Sequence, residues 1–448
     1  MKSIFYGGLL ASLMTSTAYA VEVEGYLYTT LNGETTNQVI SFERNDDGTI
    51  GAQIAYPTGD LGGANRAAGG DAAGDFDAQG AVQIIGNYLL AVNAGGNSVS
   101  VFAIDRSNGE LAHVGNTASG GTRPVSIAFV PKAPGSENHW VVVGNQWNNP
   151  NVQKGGDGEG AIEHYPDAAF HADNGGHGAV LDDRNIQLFS FNAATGALTA
   201  ERTLDTYPGT NGGPTTVSFN AAGSKIAVST WGISHFGTAT PTEQKPSRVY
   251  VYDFDAGTGD IANERFFEED GVAGSIGFSW DHETDHLYVS NFNLTVDKRD
   301  HSLTVLVDDG QSVTLNANLG TGNGDDIDEA CWTLVSPDGS KLYVSSFGGN
   351  LISEFDIDNG FVTKVGDEVN TTYALRKDGT PPGDSKDMYI TEDGDFMYVL
   401  GAYQTFSLAS FDISDSGALS LSHEYKVDAA TETGPGAYNF LGLVGFDK

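Results

Sequence analysis

One phrase recurs seven times along this chain: a short alternating strand, a turn carrying Gly, and a second strand. It reads NQVISFERNDDGTIGAQIAY from Asn37, NSVSVFAIDRSNGELAHVGN from Asn97, NIQLFSFNAATGALTAERTL from Asn185 and RVYVYDFDAGTGDIANERFF from Arg248. It returns as SLTVLVDDGQSVTLNANL from Ser302, NLISEFDIDNGFVTKVGDEV from Asn350 and SLASFDISDSGALSLSHEYKV from Ser407. The starts are 60, 88, 63, 54, 48 and 57 residues apart. Hairpins repeated at a period of about 50–60 residues predict propeller blades. A second strand pair lies before most phrases, as in TTVSFNAAGSKIAVSTW (215–231) and ACWTLVSPDGSKLYVSS (330–346). Each blade therefore has four strands, A to D from the axis outward.

The ends fit a closed ring. The chain enters the first blade at strand B (GYLYTTL, 25–31) and finishes on an unpaired strand, AYNFLGLVGF (437–446). That last strand is expected to become strand A of the first blade, which removes both exposed edges. The predicted fold is all-β, a seven-bladed propeller over 21–448. A closed ring of this kind is expected to act as a monomer.

Ahead of it, Lys2, the apolar run Ile4–Met14 and Ala18-Tyr19-Ala20 read as a signal peptide over 1–20, cleaved after Ala20. This places the mature protein in a bacterial periplasm or outside the cell. No later apolar segment is long enough to span a bilayer, so no membrane insertion is expected. With 59 acidic residues against 22 Lys and Arg, the net charge is −37. That excludes a nucleic-acid partner, because phosphate recognition needs a basic surface. One cysteine, Cys331, excludes an intrachain disulfide framework and a Cys-rich zinc site.

Loop lengths single out one face. In a four-stranded blade the D-to-A connections and B-to-C loops share one end, and the A-to-B and C-to-D hairpins share the other. The long segments, 57–78, 370–385, 146–184 and 232–247, are all of the first kind. Binding residues favour loops carried on a rigid scaffold. A small-molecule ligand is therefore expected at the axial mouth of that loop face.

Two segments carry residues of metal-binding type. His282-Glu283-Thr284-Asp285-His286 matches H-E-x-x-H, which binds zinc only on a helix, where both His share a face. Here the repeat register puts it in an A-to-B turn on the opposite face, so it is set aside. The insertion 147–184 of blade 3 carries His164, His171 and His177 among seven acids. Those groups suit a divalent cation, calcium or a transition metal, although their spacing matches no ligand motif and a solvated acidic loop has the same composition.

The phrases SPDGSKLYVSSFGGNLISEFDI (336–357), LLAVNAGGNSVSVFAI (89–104) and SGGTRPVSIAF (119–129) resemble the seven-bladed lactonase family, which includes 6-phosphogluconolactonases and carboxymuconate cyclases. The resemblance covers nearly the whole chain after the leader. It implies a His, Arg, Glu, Arg set at the tops of successive inner strands. At the matching positions this chain has Thr215, Gly274, Phe292 and Lys386. Three roles are lost, and Lys386 keeps the charge without the guanidinium fork. With so few cations near the mouth, a phosphorylated lactone is expected to be a poor substrate.

Two functions compete. The first is a lactonase-like enzyme acting on a small lactone or related anion. Arg123 and Lys386 would hold a carboxylate or oxyanion, with Asp387, Glu329, Asp328 or a loop His as base. The second is a non-catalytic propeller that binds a sugar, peptide or protein. Asn93, Asn145, Trp231, His235, Asn291 and Tyr403 are the candidate ligand contacts at the same face.

Overall fold

A computed structural model describes residues 21–64, 78–146, 184–207, 211–232, 246–322, 329–373, 385–402, 405–427 and 438–448. Seven four-stranded antiparallel sheets make up the described chain. In each, strand A pairs with B, B with C and C with D. The seven A strands touch their neighbours all the way round, including Leu441–Asp447 against Ser385–Ile390 on one side and Val82–Ile85 on the other. The ring is closed as expected. Leu441–Asp447 is strand A of blade 1 and pairs antiparallel with Val23–Thr30, Tyr26 opposite Phe446 and Tyr28 opposite Val444.

The recurring phrase owes its glycine to the seams between blades. Gly109, in the C-to-D turn of blade 2, has φ +69° and lies under the ring of Tyr26 in blade 1. A Cβ there would fall 2.1 Å from that ring. The neighbouring Tyr28 hydroxyl donates to the Gly109 carbonyl at 2.9 Å. The same joint closes the ring, where Gly48 lies under Phe396 and its carbonyl accepts from Tyr398 Oη at 3.1 Å. Gly196 under Tyr88, Gly259 under Trp140, Gly360 under His286 and Gly417 under Lys341 repeat it. A close-packed joint of this kind leaves no room for even one methyl group.

The seam between blades 4 and 5 is built differently. Its turn glycine, Gly310, has nothing within 4 Å of a Cβ. Lys225 of blade 4 instead donates to Asp308 of blade 5 at 2.5 Å and to Asp285 at 2.8 Å. Arg265 completes the cluster on Asp308 at 2.5 Å and on Asp253 at 2.9 Å. All these joints lie on the face of the short hairpins, here called the turn face. His286 of the H-E-x-x-H match is one of them, in contact with Gly360 and 5.9 Å from the ring of Phe361. Its neighbour His282 sits in the A-to-B turn, as the repeat register required.

Candidate functional site at the loop face

Every A strand starts, and every B strand ends, at the loop face. One equivalent position at the end of strand B is filled in turn by Asn32, Ala94, Gln146, Trp231, Phe292, Phe347 and Ala402, and all seven are buried. The three aromatics form an arc across blades 4 to 6. Trp231 and Phe292 have ring centroids 5.7 Å apart, and Phe292 and Phe347 6.3 Å apart. Trp332 belongs to the same apolar cluster. The polar members, Asn32 and Gln146, stand on blades 1 and 3.

Lys386 and Asp387 open strand A of blade 7 (Ser385–Ile390), and both are buried. The Lys386 ammonium lies 5.5 Å from the ring centroid of Trp332 and 5.8 Å from that of Phe347, within the range of cation–π attraction. Asp387 Oδ2 accepts the Gly442 N–H at 2.9 Å, from the closing strand of blade 1. Burial pushes the Asp387 carboxyl up to about 7, although that hydrogen bond and the Lys386 charge both pull the other way. An acid with that proton affinity in a cation-bearing site can exchange protons near neutral pH.

Arg123 precedes strand A of blade 3 (Pro124–Pro131) with φ +57°, and it too is buried. Its Nη2 donates to the Gly63 carbonyl at 3.1 Å, and the Gly63 N–H donates to Asn32 Oδ1 at 2.5 Å. Burial lowers the proton affinity of the guanidinium. Glu329 opens strand A of blade 6 with φ +52°, and its carbonyl accepts the Phe347 N–H at 2.9 Å. The axis below is crossed by Gln79, which the sequence did not reveal. Its N–H donates to Thr216 Oγ1 of blade 4 at 3.0 Å, and its Nε2 donates to the Thr333 carbonyl of blade 6 at 3.0 Å. The indole of Trp332 donates to the Ala78 carbonyl at 2.9 Å. Residues 78–79 thus brace blades on opposite sides of the ring.

The three asparagines face inward to their own seams. Asn93 accepts from Asn37 at 2.9 Å and donates to Ser98 and Ser100 at 3.0 and 2.7 Å. Asn145 donates to the Ser119 carbonyl and to Asn185 Oδ1. Asn291 accepts from Ser275 and donates to the His301 carbonyl and to Thr304. Trp231 is buried in the aromatic arc. His235, Tyr403, Asp328, His164, His171 and His177 lie outside the described residues. Among the described residues no three potential metal ligands gather. No helix among them is long and apolar enough to cross a membrane.

The positions matched to the lactonase set are committed to packing. Thr215 Oγ1 lies 2.7 Å from Ser229 Oγ and donates to the Ser275 carbonyl at 2.7 Å, joining blades 4 and 5. Gly274 packs against Phe292. A Cβ on Gly274, where φ is +69°, would sit 2.9 Å from the Phe292 Cβ.

Comparison with known proteins agrees with this architecture. Residues 21–152 match the family described as Lactonase, 7-bladed beta-propeller. No curated protein matches the chain. Among solved structures, a Lactobacillus plantarum protein is similar at 15% identity with TM-score 0.61, covering 95% of this chain and 99% of its own. The periplasmic gluconolactonase of Pseudomonas aeruginosa is similar at 13% identity with TM-score 0.59, covering 93% and 99%. A provisionally assigned 6-phosphogluconolactonase of Bacteroides fragilis is similar at 14% identity with TM-score 0.58, covering 96% and 99%. At these identities the solved structures speak for the fold alone. The described residues form a seven-bladed β-propeller, and the likeness to the lactonase family's model is confined to residues 21–152.

Proposed function

We propose that this propeller hydrolyses a small, unphosphorylated lactone at the loop face, outside the cytoplasm. The observation that carries the reading is Asp387: a buried carboxyl on the innermost strand, poised near 7, beside a buried ammonium over two aromatic rings. Ionised Asp387 takes a proton from water as its oxygen adds to the lactone carbonyl carbon. Lys386 stabilises the oxyanion that forms. The ring C–O bond then breaks, and the proton passes from Asp387 to the departing alkoxide, giving the hydroxy acid. Arg123, a second buried cation at this face, adds to the field that favours an anion. Phe292 stands where the resemblance implies a Glu, between Trp231 and Phe347, which favours a substrate with an apolar ring face over a sugar phosphate.

A set of neutral and phosphorylated lactones assayed side by side tests this. Turnover of a neutral lactone, reduced about 10²–10⁴-fold in Asp387→Asn, is expected. Faster turnover of the phosphorylated substrate would refute it. The aromatic arc also suits the second reading, a binding propeller for a sugar or peptide. Saturable binding with no turnover of any lactone would establish that reading instead.

A further inference from the structure

We propose that the peptide unit joining Leu441 to Gly442 positions the Asp387 carboxylate, so that the base is set only when the closing strand of the ring is docked. The proposal rests on the lactonase reading and adds how its acid–base group is aimed. The Gly442 N–H donates to Asp387 Oδ2 at 2.9 Å, across the seam from blade 1 to blade 7. On the other side of the same peptide, the Leu441 carbonyl accepts the hydroxyl of Thr30 at 3.1 Å and that of Thr29 at 3.4 Å. All five residues are buried.

The closing strand leaves its ladder to make this contact. Tyr28 stands opposite Val444 and Thr30 opposite Leu441, so Gly442 and Leu443 share the place across from Thr29. A bulge of this kind re-aims a backbone group away from its own sheet. Gly442 takes φ +75°, and a Cβ there would lie 2.8 Å from Val82 Cγ2 and 2.9 Å from the Val82 nitrogen. Only glycine fits. A carbonyl that accepts a hydroxyl polarises its peptide, which makes the N–H on the other side a stronger donor. The far end of the strand is pinned as well, where Arg44 Nη2 donates to Asp447 Oδ1 at 2.6 Å. Among the described residues, Lys386 is the charged group that acts on Asp387; the closing strand brings it a donor rather than a charge. That donor favours the carboxylate over the acid and offsets part of the effect of burial.

Two variants of the full chain test this. Each is read by the infrared band of the protonated Asp387 carboxyl, assigned by its absence in Asp387→Asn, and by the pH profile of kcat/KM on a neutral lactone. Replacing Gly442 by glycolate through nonsense suppression puts an ester oxygen in place of the N–H and removes that donor alone. The Asp387 titration should then move up by about one to two pH units. Thr30→Val keeps the shape of the side chain, removes the hydroxyl, and should move the titration the same way by a smaller step. A titration left in place by the ester would overturn the proposal. Should the ester chain not fold, Thr30→Val decides in the same way. The two readings fail separately. An infrared titration that shifts in the ester, with no lactone turned over, keeps the positioning and sinks the enzyme. Turnover whose Asp387-dependent inflection ignores the ester keeps the enzyme and sinks the positioning.

Discussion

The two ends of the ring differ in which buried polar groups they leave unpaired. At the turn face, Tyr28, Tyr343 and Tyr398 each donate to a turn carbonyl of the next blade, and Asp308 is shared by Lys225 and Arg265, although the buried Arg44 leaves its Nε unpaired among the described residues. At the loop face, Gln146 and Asn32 are buried with unpaired atoms, and Asp387 is held away from its ordinary ionisation. The turn face holds the blades together, whereas the loop face carries strain of the kind that functional sites accept. The two buried aspartates make the contrast concrete. Burial pushes the Asp308 carboxyl up, but Arg265 and Lys225 prevail and hold it below the usual range. Asp387 goes the other way, up to about 7.

The contrast can be broken first at the closing seam. Removing residues 441–448 takes strand A from blade 1 and exposes the edge of Val23–Thr30. The truncated chain should lose its cooperative melt or aggregate, as read by calorimetry and size-exclusion chromatography. Unchanged melting would show that the ring does not depend on this strand. Next comes the buried ion cluster. Asp308→Ala should cost about 3–5 kcal/mol, because Lys225 and Arg265 lose a buried partner. Since the folded carboxyl is held low, its stabilisation is present at neutral pH and fades as pH falls through the acid range. Denaturant melts of wild type and variant should therefore converge on acidification.

An effect of opposite sign is expected at the loop face. Asp387 binds its proton more tightly folded than unfolded. Its contribution is therefore full below about pH 4 and is lost as pH rises toward about 7. Asp387→Asn should be more stable than wild type by up to about 4 kcal/mol at pH 8, with the difference vanishing near pH 4. A gain that did not shrink on acidification would contradict the assignment. The smallest expected effect is none at all. Cys331 is fully buried on strand A of blade 6, its Sγ donating to the Glu329 carbonyl at 3.2 Å. A thiol reagent should leave the native protein unlabelled.

Much of this architecture was legible in the sequence. The seven phrases and the orphan strand near 437–446 announced both the blade count and the closure, because each reflects a local period-2 pattern that pairing must satisfy. The turn glycines were visible too, but not their reason, which lies in a ring contributed by the preceding blade. The site was legible only in part. Arg123, Lys386 and Asp387 could be placed at the tops of inner strands, whereas the burial that raises Asp387 arises from strands some 50 residues away in sequence. Gln79 bridges blades 4 and 6, and no local pattern marks such a reach. Gln146 and Asn32 had one signal: aligned by blade, they are polar where Trp231, Phe292 and Phe347 are aromatic.

The most direct test of the division between the two faces is the pH dependence of kcat/KM for a neutral lactone. If Asp387 is the base, the rate should rise about tenfold per pH unit on the acid side and level off above about 7, with that inflection absent in Asp387→Asn. A wild-type profile already flat from pH 5 to 8, or one whose inflection survives in Asp387→Asn, would contradict the account.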